Sequence, residues 1–360
     1  MPVDASVQDL AVFWLVVAGR LVLPLFIPRF PLPAILACLV LDGIDQTIFQ
    51  TFTDLDLSGY QSYDKALDVY YLTIAYLSTL RNWTNGFAFE VGRFLFYYRL
   101  VGVVLFELLD SRALLLIFPN TFEYYFIVYE ALRLRRDPAW LSRRTLILIA
   151  AVIWICVKLP QEYWIHIAQL DTTDLIRAHP WLGVLGAAAL VALVVLFRRV
   201  VQPRMPEPEH AWRVEADPIP AEIADPAARD AWIARHRQVF DRRLFEKIVL
   251  VGLVCVIFAQ IVPGVTATDG EIIVGAAILI TIDSLLGLAV ARRSRGFASL
   301  AVSFAALALA NGALVAVARL LGGGDVPLGN TLFFLLLLTL IVTLYDRYEP
   351  YHGVRFERAA

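Results

Sequence analysis

The chain has 360 residues, 59% of them hydrophobic and 18% charged, with a mean hydropathy of +0.67. A soluble core of this size cannot enclose that much apolar surface, which excludes an ordinary soluble domain and leaves lipid as the solvent. A formal net charge of −2 supplies no basic face, so nucleic acid is not expected as a partner.

The apolar residues fall in runs of 17 to 25, the length that crosses about 30 Å of hydrocarbon at 1.5 Å per residue. In chain order the runs predict spans at 9–28, 30–52, 64–80, 86–109, 113–131, 141–159, 181–197, 246–263, 271–291, 297–321 and 329–346. The expected fold is therefore an all-α, polytopic transmembrane bundle of about eleven spans, within a range of nine to twelve. The first run lacks the basic start and small-residue cleavage site of a signal peptide, and Gly19-Arg20 interrupts it, so it reads as a retained span. Cys38, Cys156 and Cys255 lie far apart inside apolar runs, as small hydrophobes do, with no paired spacing for a metal or disulfide.

An odd span count puts the termini on opposite sides, and the basic residues decide which. With the C-terminus inside, 23 Lys and Arg fall in cytoplasmic segments and only Lys65, Arg112, Lys158 and Arg177 outside. Positive charge gathers on the cytoplasmic side, which predicts the N-terminus outside and the C-terminus in the cytoplasm of a bacterial-type inner membrane. Removing the ten basic residues of the long 198–247 stretch still leaves 13 against 4.

Composition divides the chain into a transmembrane half at 1–200, a cytoplasmic linker at 201–245, a second transmembrane half at 246–346 and a tail at 347–360. The first half holds 11 of the 14 tyrosines, and every tryptophan precedes residue 233, whereas the second is Ala, Leu, Val and Gly. Small residues let helices approach closely in lipid, so the second half reads as scaffold and the first as the part that meets a substrate. The linker is rich in Pro and Glu up to residue 226, and Asp230 to Lys247 has the apolar and basic pattern of an interfacial helix.

The most informative stretch runs from Asp42 to Asp68. On a helix, Asp42, Asp45 and Gln46 fall at offsets of three and four, making one face of span two polar, and Asp64 and Asp68 repeat the one-turn spacing on span three. A carboxylate at the bilayer centre costs about 2.5–3.5 kcal/mol on insertion scales, so these groups must line a cavity or meet partners. They are expected to bind an ion or proton open to the outside, with a divalent cation as the cofactor such acids can hold; the alternative is that Asp42 and Asp45 pair with Arg20, Arg93 or Arg99 and that Asp54 to Asp64 are solvated loop acids. The spacing is similar in part to the metal-binding aspartates of the CDP-alcohol phosphotransferases, over fewer than thirty residues. Asp42-Gly43 stands for that family's central pair and Asp64 and Asp68 for its last two aspartates. The first aspartate, however, is Leu39 here, the Ala-Arg is Gln46-Thr47, and the glycine is displaced to Gly59.

Further along, Glu90 and Arg93 have the spacing of a structural ion pair on span four. In span five, Pro119-Asn120 followed by Glu123 has the composition of a broken helix lining a site. In the segment 160–180, Glu162 and His166 stand one turn apart; a zinc site there needs further ligands such as Asp171 or Asp174, and aromatic anchoring is the simpler reading. Asp283 is the lone intramembrane acid of the second half, with Asn311 and Arg319 as partners within reach. No nucleophile triad, phosphate loop or glycine fingerprint occurs at a usable spacing. The expectation is a transporter or permease with an outward acidic cavity built on Asp42, Asp45, Gln46, Asp64, Asp68, Glu123 and Asp283. The alternatives are a metal-dependent transferase acting on a lipid-linked substrate, with Asp54 and Asp56 added to the acids, and a non-catalytic subunit of a larger complex.

Overall fold

The computed structural model describes residues 6–55, 60–168, 170, 172–292, 300–322 and 328–356, with the side chains of 172–174 and 317–322 outside the description. Every regular element among these residues is helical. Seven of the helices are long and apolar enough to cross a membrane: Val7–Phe26, Pro31–Phe52, Arg143–Ile167, Pro180–Arg204, Arg242–Ile261, Asp269–Arg292 and Leu328–Phe356.

The first half of the chain begins with α1 (Val7–Val22), which starts on a capping box in which Ser6 and Asp9 satisfy each other's backbone amides, and ends in one tight turn to Phe26. Proline at the first position opens α2 (Pro31–Phe52), where its missing N–H is not needed. Next come α3 (Tyr60–Asn82) and α4 (Gly86–Leu109), the latter capped by Asn85 and ended by Asp110 in the left-handed conformation.

The polar α3 is not among the seven apolar helices, and its surroundings explain why. It touches α1, α2, α4, α6, α12 and α15, and every residue from Lys65 to Leu80 is buried. A helix enclosed by protein has no lipid-facing stripe to keep apolar, so hydropathy understates it.

The fifth expected span is divided. Short α5 (Ala113–Ile117) stops before Pro119-Asn120, and α6 (Thr121–Arg133) starts after them. The break lies hard against α4 because Gly102 leaves room for it: a Cβ on Gly102 would sit 2.1 Å from Phe118 Cβ. Next, α7 (Arg143–Val152) and α8 (Leu159–Glu162) belong to one rod, Arg143–Ile167, whose other turns are π-helical. After α9 (Thr172–Ala178), α10 (Pro180–Leu196) continues to Arg204, and no part of its apolar stretch is buried.

The segment after α10 is extended but pinned. The amides of Glu209 and Arg213 donate to the carbonyls of Arg135 and Leu134, both at 2.9 Å, and the Ala216 amide donates to Arg29 at 2.7 Å. Helix α11 (Pro226–His236), capped by Asp225, follows, then α12 (Arg242–Ile261), α13 (Asp269–Arg292), α14 (Leu300–Gly322) and α15 (Leu328–Phe356). Helix α15 continues ten residues past the expected span end at 346, and Tyr348, Tyr351 and Val354 there are buried. Trp232 of α11 packs over Gly353, where a Cβ would lie 2.4 Å from the indole. Residues of α12 and α15 join those of α2, α3, α4 and α6 in one buried cluster, so both compositional halves contribute to a common core.

Candidate functional site

The four aspartates of the Asp42–Asp68 stretch converge on one guanidinium, Arg20 of α1. Its Nη1 donates to Asp45 of α2 and, at 3.0 Å, to Asp64 of α3; its Nη2 donates to Asp42 of α2 at 2.5 Å and to Asp68 of α3 at 2.9 Å. Each terminal nitrogen thus bridges α2 to α3. The planar fork of arginine has donors in both directions, a geometry that a single ammonium lacks. Lys65 reaches Asp64 at 2.7 Å and Asp68 at 3.0 Å, and the Tyr60 hydroxyl donates to Asp45. Arg20 is 5% exposed and Asp45 fully buried, so these are charges held away from solvent.

The helix period brings the acids to one place: Asp42 and Asp45 are three residues apart on α2, and Asp64 and Asp68 four apart on α3. One oxygen from each of Asp42, Asp64 and Asp68 lies within 4.8 Å of the others. Such a set can hold a hard cation through carboxylate oxygens. Gln46, expected beside them, is exposed. Asp54 is exposed too, its amide donating to Asp9, and Asp56 lies outside the described residues.

A second polar group adjoins through α3. One turn beyond Asp68, Tyr71 donates to Glu123, which also meets Lys158 at 3.3 Å and the Asn120 amide group at 3.1 Å. The helix break serves this group: the freed backbone amide of Asn120 donates to Glu162 at 3.0 Å, and the Phe118 carbonyl accepts from Arg99 at 2.9 Å. Glu162 also meets His166 Nε2 at 3.0 Å, and Nδ1 of that ring faces Gln61 at 3.2 Å. The one-turn pair Glu162–His166 therefore belongs to a buried network. Of the further zinc ligands considered, Asp171 and the Asp174 side chain lie outside the described residues.

A third group surrounds Glu246. Tyr76 donates to Oε1, Tyr97 lies 3.3 Å from the same oxygen, and Tyr345 and Arg93 reach Oε2 at 3.3 and 3.2 Å. Glu90 approaches Arg93 only to 4.0 Å with its side chain 62% exposed, so Glu246 is the closer partner of Arg93. Asp283 meets Asn311 at 3.0 Å, while the Arg319 side chain lies outside the described residues.

Several members of these networks escaped sequence reasoning, Lys65, Lys158, Tyr71 and Glu246 among them. Lys65 and Lys158 counted as outside charges at the ends of spans, yet both are buried, at 9% and 3% exposure. Tyr71 and Glu246 carried no local mark; their partners are 52 to 170 residues away. The one legible sign for the lysines was their one-turn spacing to acids, Lys65 to Asp68 and Lys158 to Glu162. Compared with protein-family models, curated proteins and solved structures, the chain matches none.

Proposed function

We propose that the chain is a cation-handling transporter of a bacterial-type inner membrane, with the Arg20 cluster as its site. In this reading it has about eleven spans, its N-terminus is outside and its C-terminus cytoplasmic, and the site opens outward. The observation that carries the proposal is a charge imbalance in a place suited to an ion. Four carboxylates face only Arg20 and Lys65, leaving a formal −2, and three of them offer oxygens within 4.8 Å of one another. Uncompensated charge inside a membrane protein is costly, and a divalent cation exchanged for the single charge of Arg20 would halve it.

Arg20 stands where that cation would bind, so the two compete for the same carboxylates. Binding then proceeds by exchange: the ion takes Asp42, Asp64 and Asp68 while the guanidinium withdraws, loosening the α1–α2–α3 clamp. A ligand shifts a conformational equilibrium only through such a difference in contacts between states. The clamp supplies that difference. The orientation rests on the charge count, which burial trims on both sides: Lys65 and Lys158 leave the four counted outside, and Arg133, Arg229 and Lys247 leave the 23 counted inside.

Uptake of Mn²⁺ into liposomes containing the purified protein tests the reading. Wild type should carry Mn²⁺ at least tenfold faster than empty liposomes, and Asp42→Asn or Asp68→Asn should abolish the difference. Uptake indistinguishable from empty liposomes refutes transport. Mn²⁺ bound at the aspartates but not moved would instead favour the metal-dependent transferase. The subunit reading has one observation in its favour, the rod Pro180–Arg204, whose apolar stretch buries nothing within the chain.

A further inference from the structure

The Asp283 group stands apart from the Arg20 site in chain, partners and chemistry. Asp283 on α13 is 2% exposed and Asn311 on α14 fully buried. The Asn311 amide nitrogen donates to Asp283 Oδ2 at 3.0 Å and to Thr339 Oγ1 of α15 at 3.2 Å. One side chain thereby spends its two hydrogens tying three helices together. Two oxygens are left over: Asp283 Oδ1 and Asn311 Oδ1 are both buried, and neither has a hydrogen-bond partner among the described residues.

Two buried acceptors without donors, one of them on a carboxylate, suit a bound positive charge. Asp283 makes no ion pair among the described residues, and Lys247, the cation whose field reaches it, is held by Asp346 at 2.9 Å; a buried carboxylate without a direct partner costs several kcal/mol in a low-dielectric interior. A proton on Asp283 Oδ1 is the competing occupant, since it neutralises the carboxyl and makes that oxygen a donor for which Asn311 Oδ1 is an acceptor; it confers no dependence on sodium. A metal ion accepts several oxygen ligands at once, and carboxylate, amide carbonyl and hydroxyl are the hard donors that alkali cations prefer over amines or sulfur. The charge count selects the valence, since one carboxylate balances one monovalent ion. Access exists: a cavity of about 330 Å³ reaches Asp283, and the charged residues Arg229, Asp230, Asp346 and Arg347 line it with Ser303 and Thr343.

We infer that Asp283, Asn311 and Thr339 form a sodium site, with Asp283 Oδ1 and Asn311 Oδ1 as ligands and the Thr339 hydroxyl beside them. Sodium would lock α13 and α15 through α14, an arrangement in which an ion ligated by three helices sets how they pack. Occupancy therefore raises the stability of the folded chain through mass action.

The test is thermal unfolding of the purified full chain in detergent at pH 8, in sodium chloride against choline chloride at equal ionic strength. Sodium should raise the melting temperature of wild type by several degrees, saturating in the millimolar range. Asp283→Asn should lose that shift, and Asn311→Ala, which keeps the carboxylate, should weaken the apparent sodium affinity at least tenfold. An Asp42→Asn, Asp68→Asn chain should keep the sodium shift, which separates this site from the Arg20 cluster. Identical melting of wild type in the two salts, as expected if only water meets the orphan oxygens, overturns the inference; so does a sodium shift that survives in Asp283→Asn. The wild-type comparison decides even where a variant fails to fold.

Discussion

Replacing Arg20 by methionine puts the clamp and the cation reading to one test. The guanidinium holds four carboxylates from two helices, and its removal leaves them facing Lys65 alone. Breaking a buried ion pair by deleting one partner costs about 3–5 kcal/mol, because the other charge stays buried and unpaired. Against a total stability of about 5–15 kcal/mol, that is a large share. The melting temperature, followed by tryptophan fluorescence in detergent, should fall by about 4–7 °C for a chain of this length. If a divalent cation can take the guanidinium's place, Mn²⁺ at a hundred times its dissociation constant should return about 2.7 kcal/mol, most of the loss. Adding Asp45→Asn should recover part by a second route, since Asp45 is fully buried and its charged partner is Arg20. Arg20→Lys should fall between wild type and methionine, because one ammonium cannot bridge α2 to α3 at two separate nitrogens. An Arg20→Met chain that melts with wild type refutes the clamp. One that is destabilised yet indifferent to Mn²⁺ refutes the exchange.

Other outcomes follow from the same geometry. Lys158→Met should cost about 3–5 kcal/mol by stranding Glu123, and Glu123→Gln in the same chain should recover part of it, as a double-mutant cycle of melting temperatures will read. Gly102→Ala should destabilise by about 1–3 kcal/mol, because its Cβ would enter the space of Phe118 at 2.1 Å; an unchanged melting temperature would show that the helix break moves freely. Glu246→Ala should cost more than Tyr97→Phe, since it strands three hydroxyls and the Arg93 charge where the tyrosine change removes one 3.3 Å contact. Gln46→Ala should leave stability within about 0.5 kcal/mol and Mn²⁺ uptake unchanged, since the side chain is exposed; a tenfold loss of uptake would place it in the site after all.

Much of this molecule is written in local spacing. Runs of apolar residues state that the chain is helical and that its helices include ones long and apolar enough to cross a membrane, because span length follows from bilayer thickness and helix rise alone. The one-turn offsets of Asp42 with Asp45 and of Asp64 with Asp68 state that each pair shares a helix face, because the 3.6-residue period is a property of the backbone. Pro119-Asn120 announces a broken helix for an equally local reason, the missing amide. Which partner meets which acid is a different kind of fact. Arg20, Arg93 and Arg99 were equally eligible for the aspartates, and only packing chose Arg20 for that role, sending Arg93 to Glu246 and Arg99 to the Phe118 carbonyl. The same packing placed polar α3 at the centre of the bundle, where its low hydropathy costs nothing, and drew Lys65 and Lys158 in from the ends of their spans. Residues themselves determined which charges fall in apolar helices and must be neutralised there. The tertiary structure decided by whom, because neutralisation depends on distances between helices that no chain-local period encodes.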